Sequence, residues 1–139
     1  MRNTPFLWPV RVYYEDTDAA GVVYHNRYLA FMERARTEWL RSFGIGQEEL
    51  VRSSGLRFAV TEMQIAFLSP ARLDEALTVS VARGKTGHAS FWLHQEVTHA
   101  ERKLIRAEVR LVCINEAFKP VRLPGFLQEV LIARSINEP

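Results

Sequence analysis

The sequence has one cysteine among its 139 residues, Cys113, and this scarcity excludes two kinds of site. A single thiol cannot build an internal disulfide framework or a cysteine-ligated metal cluster. Cys113 lies in the segment VRLVCIN, whose alternation is typical of a strand. A catalytic thiol needs an electropositive, partly exposed setting, so we interpret Cys113 as a core residue.

Long apolar runs and an excess of one charge are also missing. No apolar segment is long enough to span a bilayer, and the first residues, MRNTPFLWPVRV, lack the apolar centre and cleavage site of a signal peptide. The net charge is +2 with acids and bases interspersed, so no basic stripe favours nucleic acid as a partner. We therefore expect a cytoplasmic protein that neither enters a membrane nor binds nucleic acid.

The amino-acid composition is typical of a globular protein. Of the residues, 47% are hydrophobic and 24% are charged, a balance that supports a packed core. The chain has no internal repeats, low-complexity tracts or linkers. Its length then predicts one domain over residues 1–139.

The first third of the sequence predicts one strand and one long helix. Residues 8–15 read as a strand, with Val12 and Tyr14 on the same face. Asn26 predicts the N-cap of a helix that Gly44 ends. The apolar residues of this helix recur at helical spacing and cover much of its circumference: Tyr28, Leu29, Phe31, Met32, Ala35, Trp39, Leu40 and Phe43. Such a helix must be surrounded by other elements.

The rest of the sequence can surround it. Four segments read as strands: 56–68, 76–84, 89–100 and 103–115. The connections GKTGH and ERK are short enough for hairpins, which makes their strands antiparallel, and GFLQEVLIA predicts a final helix. This order predicts an α+β fold in which a five-stranded antiparallel sheet wraps around the long helix. An open sheet edge invites pairing, so we expect a dimer joined edge to edge.

The segment YYEDTDAAGVVYHNRY, residues 13–28, concentrates the chemistry. It places Asp16 and Asp18 at a strand end and His25 at the start of the helix. Backbone N–H groups at a helix N-terminus are unpaired and partially positive, so they can hold the oxyanion that forms when a carbonyl is attacked. An opposing carboxylate can activate water or attack directly. The pattern allows an acyl-transfer hydrolase without serine, cysteine or metal, and does not require one.

The longer segment VYYEDTDAAGVVYHNRYLAFMERARTEWL closely resembles the signature of the hot-dog-fold 4-hydroxybenzoyl-CoA thioesterase superfamily. Within that superfamily it is most similar to the Tol–Pal-associated acyl-CoA thioesterases. The resemblance extends from Trp8 to the last predicted helix and includes ARLDEALTV and EVRLVCIN. Its most specific part is D-x-x-G-V-V-Y-H-x-x-Y. Ala20 is a minor departure, since glycine is also common there.

The resemblance implies a hot-dog fold and an enzyme that hydrolyses acyl-CoA thioesters without a cofactor or metal. It implies that Asp18 carries the catalytic carboxylate and that His25 sits beside the thioester, where a nearby helix N–H polarises the carbonyl. Gly21 and Val22 are assigned to substrate binding. It also implies active sites between the subunits of a homodimer or of a dimer-of-dimers tetramer.

Each acid of the motif also has a structural interpretation. Asp18 could be a capping or Asx-turn residue, which is the usual role of an aspartate in such a loop. Glu15 and Asp16 could be acids of the turn and of the strand surface. Asp16 could instead act on Asp18 through like-charge coupling, which would raise one pKa.

Other charged residues have two interpretations as well. Arg83 and Lys85, in ARGKTGHAS, could meet the phosphates of coenzyme A or form a solvated turn. Two i,i+3 pairs are predicted on the polar side of the helix, Glu33 with Arg36 and Glu38 with Arg41. Three histidines follow one predicted hairpin arm at spacings unlike those of a metal site: His88, His94 and His99.

Two other functions are compatible with the sequence. One is a hot-dog hydratase or dehydratase that acts on enoyl thioesters, which would change absorbance at the enoyl wavelength. The other is a non-catalytic module that binds acyl thioesters and would bind CoA tightly without turnover. The intact Asp18, Gly21 and His25 argue against a degenerate binder, so hydrolysis is the leading hypothesis.

Overall fold

The computed structural model describes residues 4–136, which form one antiparallel sheet and three α-helices. The strands are β1 (Phe6–Arg11), β2 (Arg57–Phe67), β3 (Ala76–Thr86), β4 (Ser90–His99) and β5 (Arg102–Ile114), and the helices are α1 (His25–Arg41), α2 (Gln47–Ser54) and α3 (Gly125–Ile136). The order across the sheet is β1–β3–β4–β5–β2, and all neighbours are antiparallel. The predicted α+β arrangement is confirmed. The predicted domain also includes residues 1–3 and 137–139, which lie outside the described residues.

Helix α1 packs its apolar side against the inner face of the sheet. Phe31, Met32 and Ala35 are fully buried, and the alternate residues of β4 that face them, such as Leu93, are buried too. Each large side chain buried in this way contributes about 1.5–3 kcal/mol to the free energy of unfolding. Leu29, however, is 40% exposed, so the buried side of α1 is narrower than predicted.

The first strand is shorter than predicted because the chain turns before residue 15. Residues Tyr14–Asp16 form one turn of 3₁₀-helix, and the Asp16 carboxylate accepts a hydrogen bond of 2.8 Å from the Tyr13 N–H. Val12 is buried, whereas Tyr14 is 81% exposed. The prediction that Val12 and Tyr14 share one face is therefore wrong.

Helix α2 is absent from the predicted order of elements. It begins after Gly46 and ends at Gly55, whose φ of +73° allows the left-handed C-cap that favours glycine. Leu50 is its buried residue, so the apolar pattern is too brief to indicate a helix. None of the helices in residues 4–136 is long and apolar enough to cross a membrane.

A polar link joins α1 to the sheet inside the core. Arg36 and Gln95 are both buried, and the Arg36 Nη1 donates a hydrogen bond of 3.0 Å to the Gln95 Oε1. Gln95 in turn donates through Nε2 to the Met32 carbonyl at 3.1 Å. Burial lowers the pKa of Arg36. The predicted surface pair between Arg36 and Glu33 is therefore wrong, because the guanidinium points inward.

Cys113 lies on β5 and is completely buried. Burial in apolar surroundings raises the pKa of its thiol, which disfavours the reactive thiolate. The interpretation of Cys113 as a core residue is confirmed.

Candidate active site

The turn after β1 holds Asp18 at the start of a tight loop. The Asp18 N–H donates to the Val22 carbonyl at 2.9 Å, and the Asp18 carbonyl accepts from the Gly21 N–H at 3.0 Å. The side-chain Oδ1 accepts from the N–H groups of Ala20 at 2.8 Å and Val22 at 3.3 Å. Asp18 therefore does form an Asx turn through Oδ1. Its second oxygen, Oδ2, has no hydrogen-bond partner among the described residues.

Gly21 shapes this loop through its backbone conformation. Its φ is +83°, which other residues rarely adopt, and a Cβ atom added there would meet no atom within 4 Å. Conformation, and not lack of space, is thus the reason for a glycine at this position.

The neighbouring Asp16 is buried, with 4% of its surface exposed. Its Oδ1 lies 2.9 Å from the Arg27 Nε and 2.7 Å from the Arg27 Nη2, and its carbonyl accepts from the Tyr24 N–H at 3.1 Å. Glu15 is exposed and lies 3.7 Å from the same guanidinium. The interpretation of Asp16 as a surface acid is wrong, because Arg27 compensates its buried charge.

Helix α1 begins at His25 with Tyr24 as its N-cap, so the N-cap lies two positions before the predicted one, Asn26. No side chain caps this end. The N–H groups of His25 and Asn26 donate no hydrogen bond within the described part of the chain, whereas the Arg27 N–H donates to the Tyr24 carbonyl at 3.1 Å. Two unpaired donors thus remain at the positive end of the helix dipole.

A cavity of about 280 Å³ lies between this helix start and the end of β2. Asp18, Val22 and His25 line it together. The structure thus brings three of the predicted site residues to one cavity, and Gly21 contributes the turn beside it. An exposed imidazole, a carboxylate and a helix N-terminus around one space can support attack on a carbonyl carbon.

The opposite wall of the cavity was not indicated by the sequence motif. The Phe67 ring lies with its centroid 4.8 Å from the His25 ring and 6.1 Å from the Tyr28 ring. The Tyr28 hydroxyl accepts a hydrogen bond of 2.9 Å from the Ala71 N–H, and burial raises the pKa of this phenol. The rest of this wall follows β2 along the chain: Leu68, Ser69 and Pro70. A sequence signal existed, because Phe67 and Leu68 interrupt the strand's alternation just before a proline.

The two predicted coenzyme A cations lie far from this cavity within one chain. Arg83 borders a second cavity with Trp39 and Phe43, beyond the middle of α1 toward its C-terminal end, and its Nη1 donates to the Leu131 carbonyl at 3.0 Å. Lys85 is exposed near the end of β3. Helix α1 has 17 residues. At 1.5 Å per residue it is about 25 Å long, so these cations and Asp18 are at opposite ends of it.

The histidine at position 94 belongs to a separate cluster on β4 and β5. Its Nδ1 lies 2.6 Å from the Glu108 Oε2, and its Nε2 lies 3.2 Å from the Glu96 Oε2. Lys103 lies 3.3 Å from the same Glu96 oxygen. Within residues 4–136 no group of three or more His, Cys, Asp or Glu side chains has an arrangement that could hold a metal ion.

Comparisons with known proteins cover the turn, the helix and the sheet. The model of the thioesterase-like superfamily matches residues 12–131. The chain is 44% identical to the acyl-CoA thioester hydrolase YbgC of Escherichia coli O6:H1, over 89% of this chain and 93% of the relative. It is 41% identical to the acyl-CoA thioesterase YbgC of Haemophilus influenzae, over 89% and 92%. A solved 1,4-dihydroxy-2-naphthoyl-CoA thioesterase from Synechocystis has a TM-score of 0.87 at 27% identity, covering 98% of this chain and 100% of that chain.

Proposed function

Because the chain belongs to the thioesterase-like superfamily, we propose that it hydrolyses acyl-CoA thioesters to a free acid and CoA, with Asp18 as the catalytic carboxylate. One observation carries this proposal. Within residues 4–136 the Asp18 Oδ2 accepts no hydrogen bond, and the same cavity is lined by His25, whose N–H at the start of α1 donates none. The two complementary parts of an acyl-transfer site therefore meet in one space.

The reaction uses Asp18 in one of two ways. As a general base, Oδ2 takes a proton from water while the water oxygen bonds to the thioester carbon. As a nucleophile, Oδ2 bonds to that carbon itself, and water then hydrolyses the anhydride that results. In both routes the carbonyl oxygen becomes an oxyanion, the carbon–sulfur bond breaks, and the CoA sulfur leaves as a thiolate that is protonated.

The start of α1 stabilises the charge that develops. The unpaired N–H groups of His25 and Asn26 lie at the positive end of the helix dipole, where donors favour an oxyanion. The His25 imidazole is held edge-on by Phe67, with a centroid distance of 4.8 Å. We propose that this imidazole orients the carboxylate or stabilises the tetrahedral intermediate.

The direct test is release of the CoA thiol from a panel of acyl-CoA substrates. We expect turnover that yields one free thiol and one acid per thioester consumed. Absorbance at the enoyl wavelength, followed in parallel on enoyl-CoA, should not change before the thiol appears. Tight CoA binding without thiol release from any substrate would overturn the proposal in favour of a binding module.

The site supports a homo-oligomer as the active form. Strand β2 is an edge strand of 11 residues, and Val60 on it is 44% exposed. Such an edge favours pairing with a second copy, in a dimer or a pair of dimers. Light scattering after size exclusion should show no major monomer, and a monodisperse, active monomer would contradict this assembly.

A dimer also gives the distant cations a role. Arg83 and Lys85 are too far from Asp18 to serve the cavity of their own subunit, but they can meet the phosphates of a coenzyme A whose thioester lies in the partner's cavity. The resemblance of residues 12–40 supports a further assignment to the Tol–Pal-associated group, acting in the cytoplasm. Cell fractionation checks the compartment.

A further inference from the structure

The half-exposed ring of Phe67 is held in a fixed position at the apolar end of the cavity. It is 50% exposed, and its other half rests on Tyr28 and His25. Tyr28 is itself immobilised, because it is 2% exposed and its hydroxyl accepts the Ala71 N–H at 2.9 Å. The chain just after Phe67 is also fixed, because the Leu68 N–H donates to the Leu104 carbonyl at 2.8 Å.

The chemistry of the cavity selects the kind of group that can occupy it. No lysine or arginine is among the described residues that line it, and Asp18 places a carboxylate there. A negatively charged acyl group would be repelled by the Asp18 carboxylate, because no cation in the cavity compensates the two charges. The wall formed by Phe67, Leu68 and Pro70 is apolar, so an uncharged hydrocarbon group is favoured.

The cavity of one subunit holds only a small part of a long acyl chain. Its volume of about 280 Å³ lies below the range of about 300–1,000 Å³ that is typical of sites for drug-sized ligands. Polar pantetheine has its own hydrogen-bonding groups and suits the open side of the cavity. An acyl group that extends from the thioester toward Phe67 would meet the face of this ring.

We propose that Phe67 is the specificity-determining residue of this enzyme, and that its ring restricts the acyl group to short, uncharged chains. This inference rests on the proposed thioesterase function and names the substrate class of the same site. Acyl groups gain affinity with each methylene until they reach the ring. Beyond that length, each additional methylene has no apolar space to enter.

The test compares kcat/KM over straight-chain acyl-CoA substrates from acetyl-CoA to palmitoyl-CoA, with succinyl-CoA as the charged probe. The wild-type enzyme should prefer short chains and discriminate against succinyl-CoA. Phe67→Ala should move the optimum to longer chains, with a gain of about fourfold in kcat/KM for each methylene that enters the enlarged space. Phe67→Trp should move the optimum in the opposite direction.

Phe118→Ala is the matched control, since Phe118 is 72% exposed in the loop after β5 and does not line the cavity. Its chain-length profile should equal that of the wild type. Phe67→Leu keeps an apolar contact with Tyr28 and should give an intermediate chain-length profile. It tests the role of the ring even if Phe67→Ala does not fold.

Two results overturn the inference in distinguishable ways. An active wild type whose chain-length profile is unchanged in Phe67→Ala, Phe67→Leu and Phe67→Trp would overturn the role of Phe67 alone. A wild type that releases thiol from none of the substrates would overturn the proposed function, and this inference with it.

Discussion

Asp16 and Arg27 form an ion pair that joins the turn carrying Asp18 to the first turn of α1, with 2.7 Å between the Asp16 Oδ1 and the Arg27 Nη2. The carboxylate is buried, and 29% of the arginine side chain is exposed. The same carboxylate also accepts the Tyr13 N–H. The Asp16 side chain therefore links the segment after β1, the 3₁₀ turn and the first turn of α1. The relative position of Asp18 and His25 depends on this pair.

Loss of Arg27 should therefore destabilise the fold. Arg27→Met keeps much of the side-chain packing but leaves the Asp16 carboxylate buried without its charged partner. We expect the free energy of unfolding to fall by about 1–3 kcal/mol in urea denaturation. The exposed pair of Arg41 and Glu38 supplies the control, since Arg41→Met should cost less than about 1 kcal/mol. Equal stability of the two variants would contradict the role of the pair.

The Arg36–Gln95 link should stabilise the contact between α1 and β4. Gln95→Ala removes the acceptor of a buried guanidinium, so we expect a loss of about 2–3 kcal/mol in the free energy of unfolding. The double variant Arg36→Met, Gln95→Leu should recover most of it, because an apolar pair needs no hydrogen bond. Lys119→Ala, in the exposed loop after β5, is the control and should change stability by less than about 0.5 kcal/mol. A double variant that is as unstable as Gln95→Ala, or more so, would contradict the stabilising role of the link.

The cluster around His94 should make stability depend on pH. Partial burial lowers the pKa of His94, but the hydrogen bonds and charges of Glu108 and Glu96 outweigh it, so the pKa is raised above its usual value. Burial acts to raise the pKa of Glu96, but His94 and Lys103 hold it below its usual value. Protonated His94 therefore faces ionised carboxylate in the folded state.

A raised histidine pKa stabilises the folded state below the unfolded pKa of about 6.5 and ceases to do so as the pH rises through the folded pKa. The difference in unfolding free energy between wild type and His94→Gln should be larger at about pH 5.5 than at about pH 9. In a background that carries Glu96→Gln and Glu108→Gln, His94→Gln should show a smaller trend, because both carboxylates that contact the imidazole are gone. A difference that grows with pH would show that the sign is wrong.

Removal of Arg83 and Lys85 tests their contact with coenzyme A. The variant Arg83→Ala, Lys85→Ala should raise KM for acyl-CoA with little change in kcat, the pattern of lost uniform binding. The effect should shrink at high salt, where exposed charges are screened. Acyl-pantetheine, which lacks the nucleotide phosphates, should show no increase in KM, and Lys119→Ala should behave as wild type. An unchanged KM for acyl-CoA would return both residues to a structural role.

The elements that could be predicted from the sequence are those whose signal is local. The spacing of Met32, Ala35 and Trp39 predicts a buried helix face, and short connections predict the hairpins of β3, β4 and β5. The predicted hot-dog thioesterase family is also confirmed, by the superfamily model over residues 12–131 and by a relative at 44% identity. It could be predicted because the residues that carry the resemblance lie together in one turn and helix.

The features that could not be predicted depend on partners far along the chain. Arg36 is buried because Gln95, 59 residues later, accepts its hydrogen bond, and no helix pattern carries that information. Asp16 is buried because Arg27 on the next element neutralises it. Phe67 lies beside His25 only because the end of β2 meets the start of α1. Helix α2 has too few buried residues to show a period.

The sharpest control for Asp18 is an aspartate with a similar local setting and no access to the cavity. Asp16 is unsuitable, because Asp16→Asn would weaken a buried ion pair. Asp74 is exposed in the turn before β3 with φ of +71°, a conformation that asparagine also tolerates. Asp74→Asn therefore changes a carboxylate to an amide without disturbing the core or the site.

Turnover by Asp18→Asn tests the central claim most directly. The amide keeps the hydrogen bonds from Ala20 and Val22 through its carbonyl oxygen, so the turn and the KM should change little. It cannot accept a proton from water or attack the thioester, so kcat should fall by a factor of about 10²–10⁴, while Asp74→Asn keeps wild-type turnover. A folded Asp18→Asn variant that releases the CoA thiol at the wild-type rate would contradict the account.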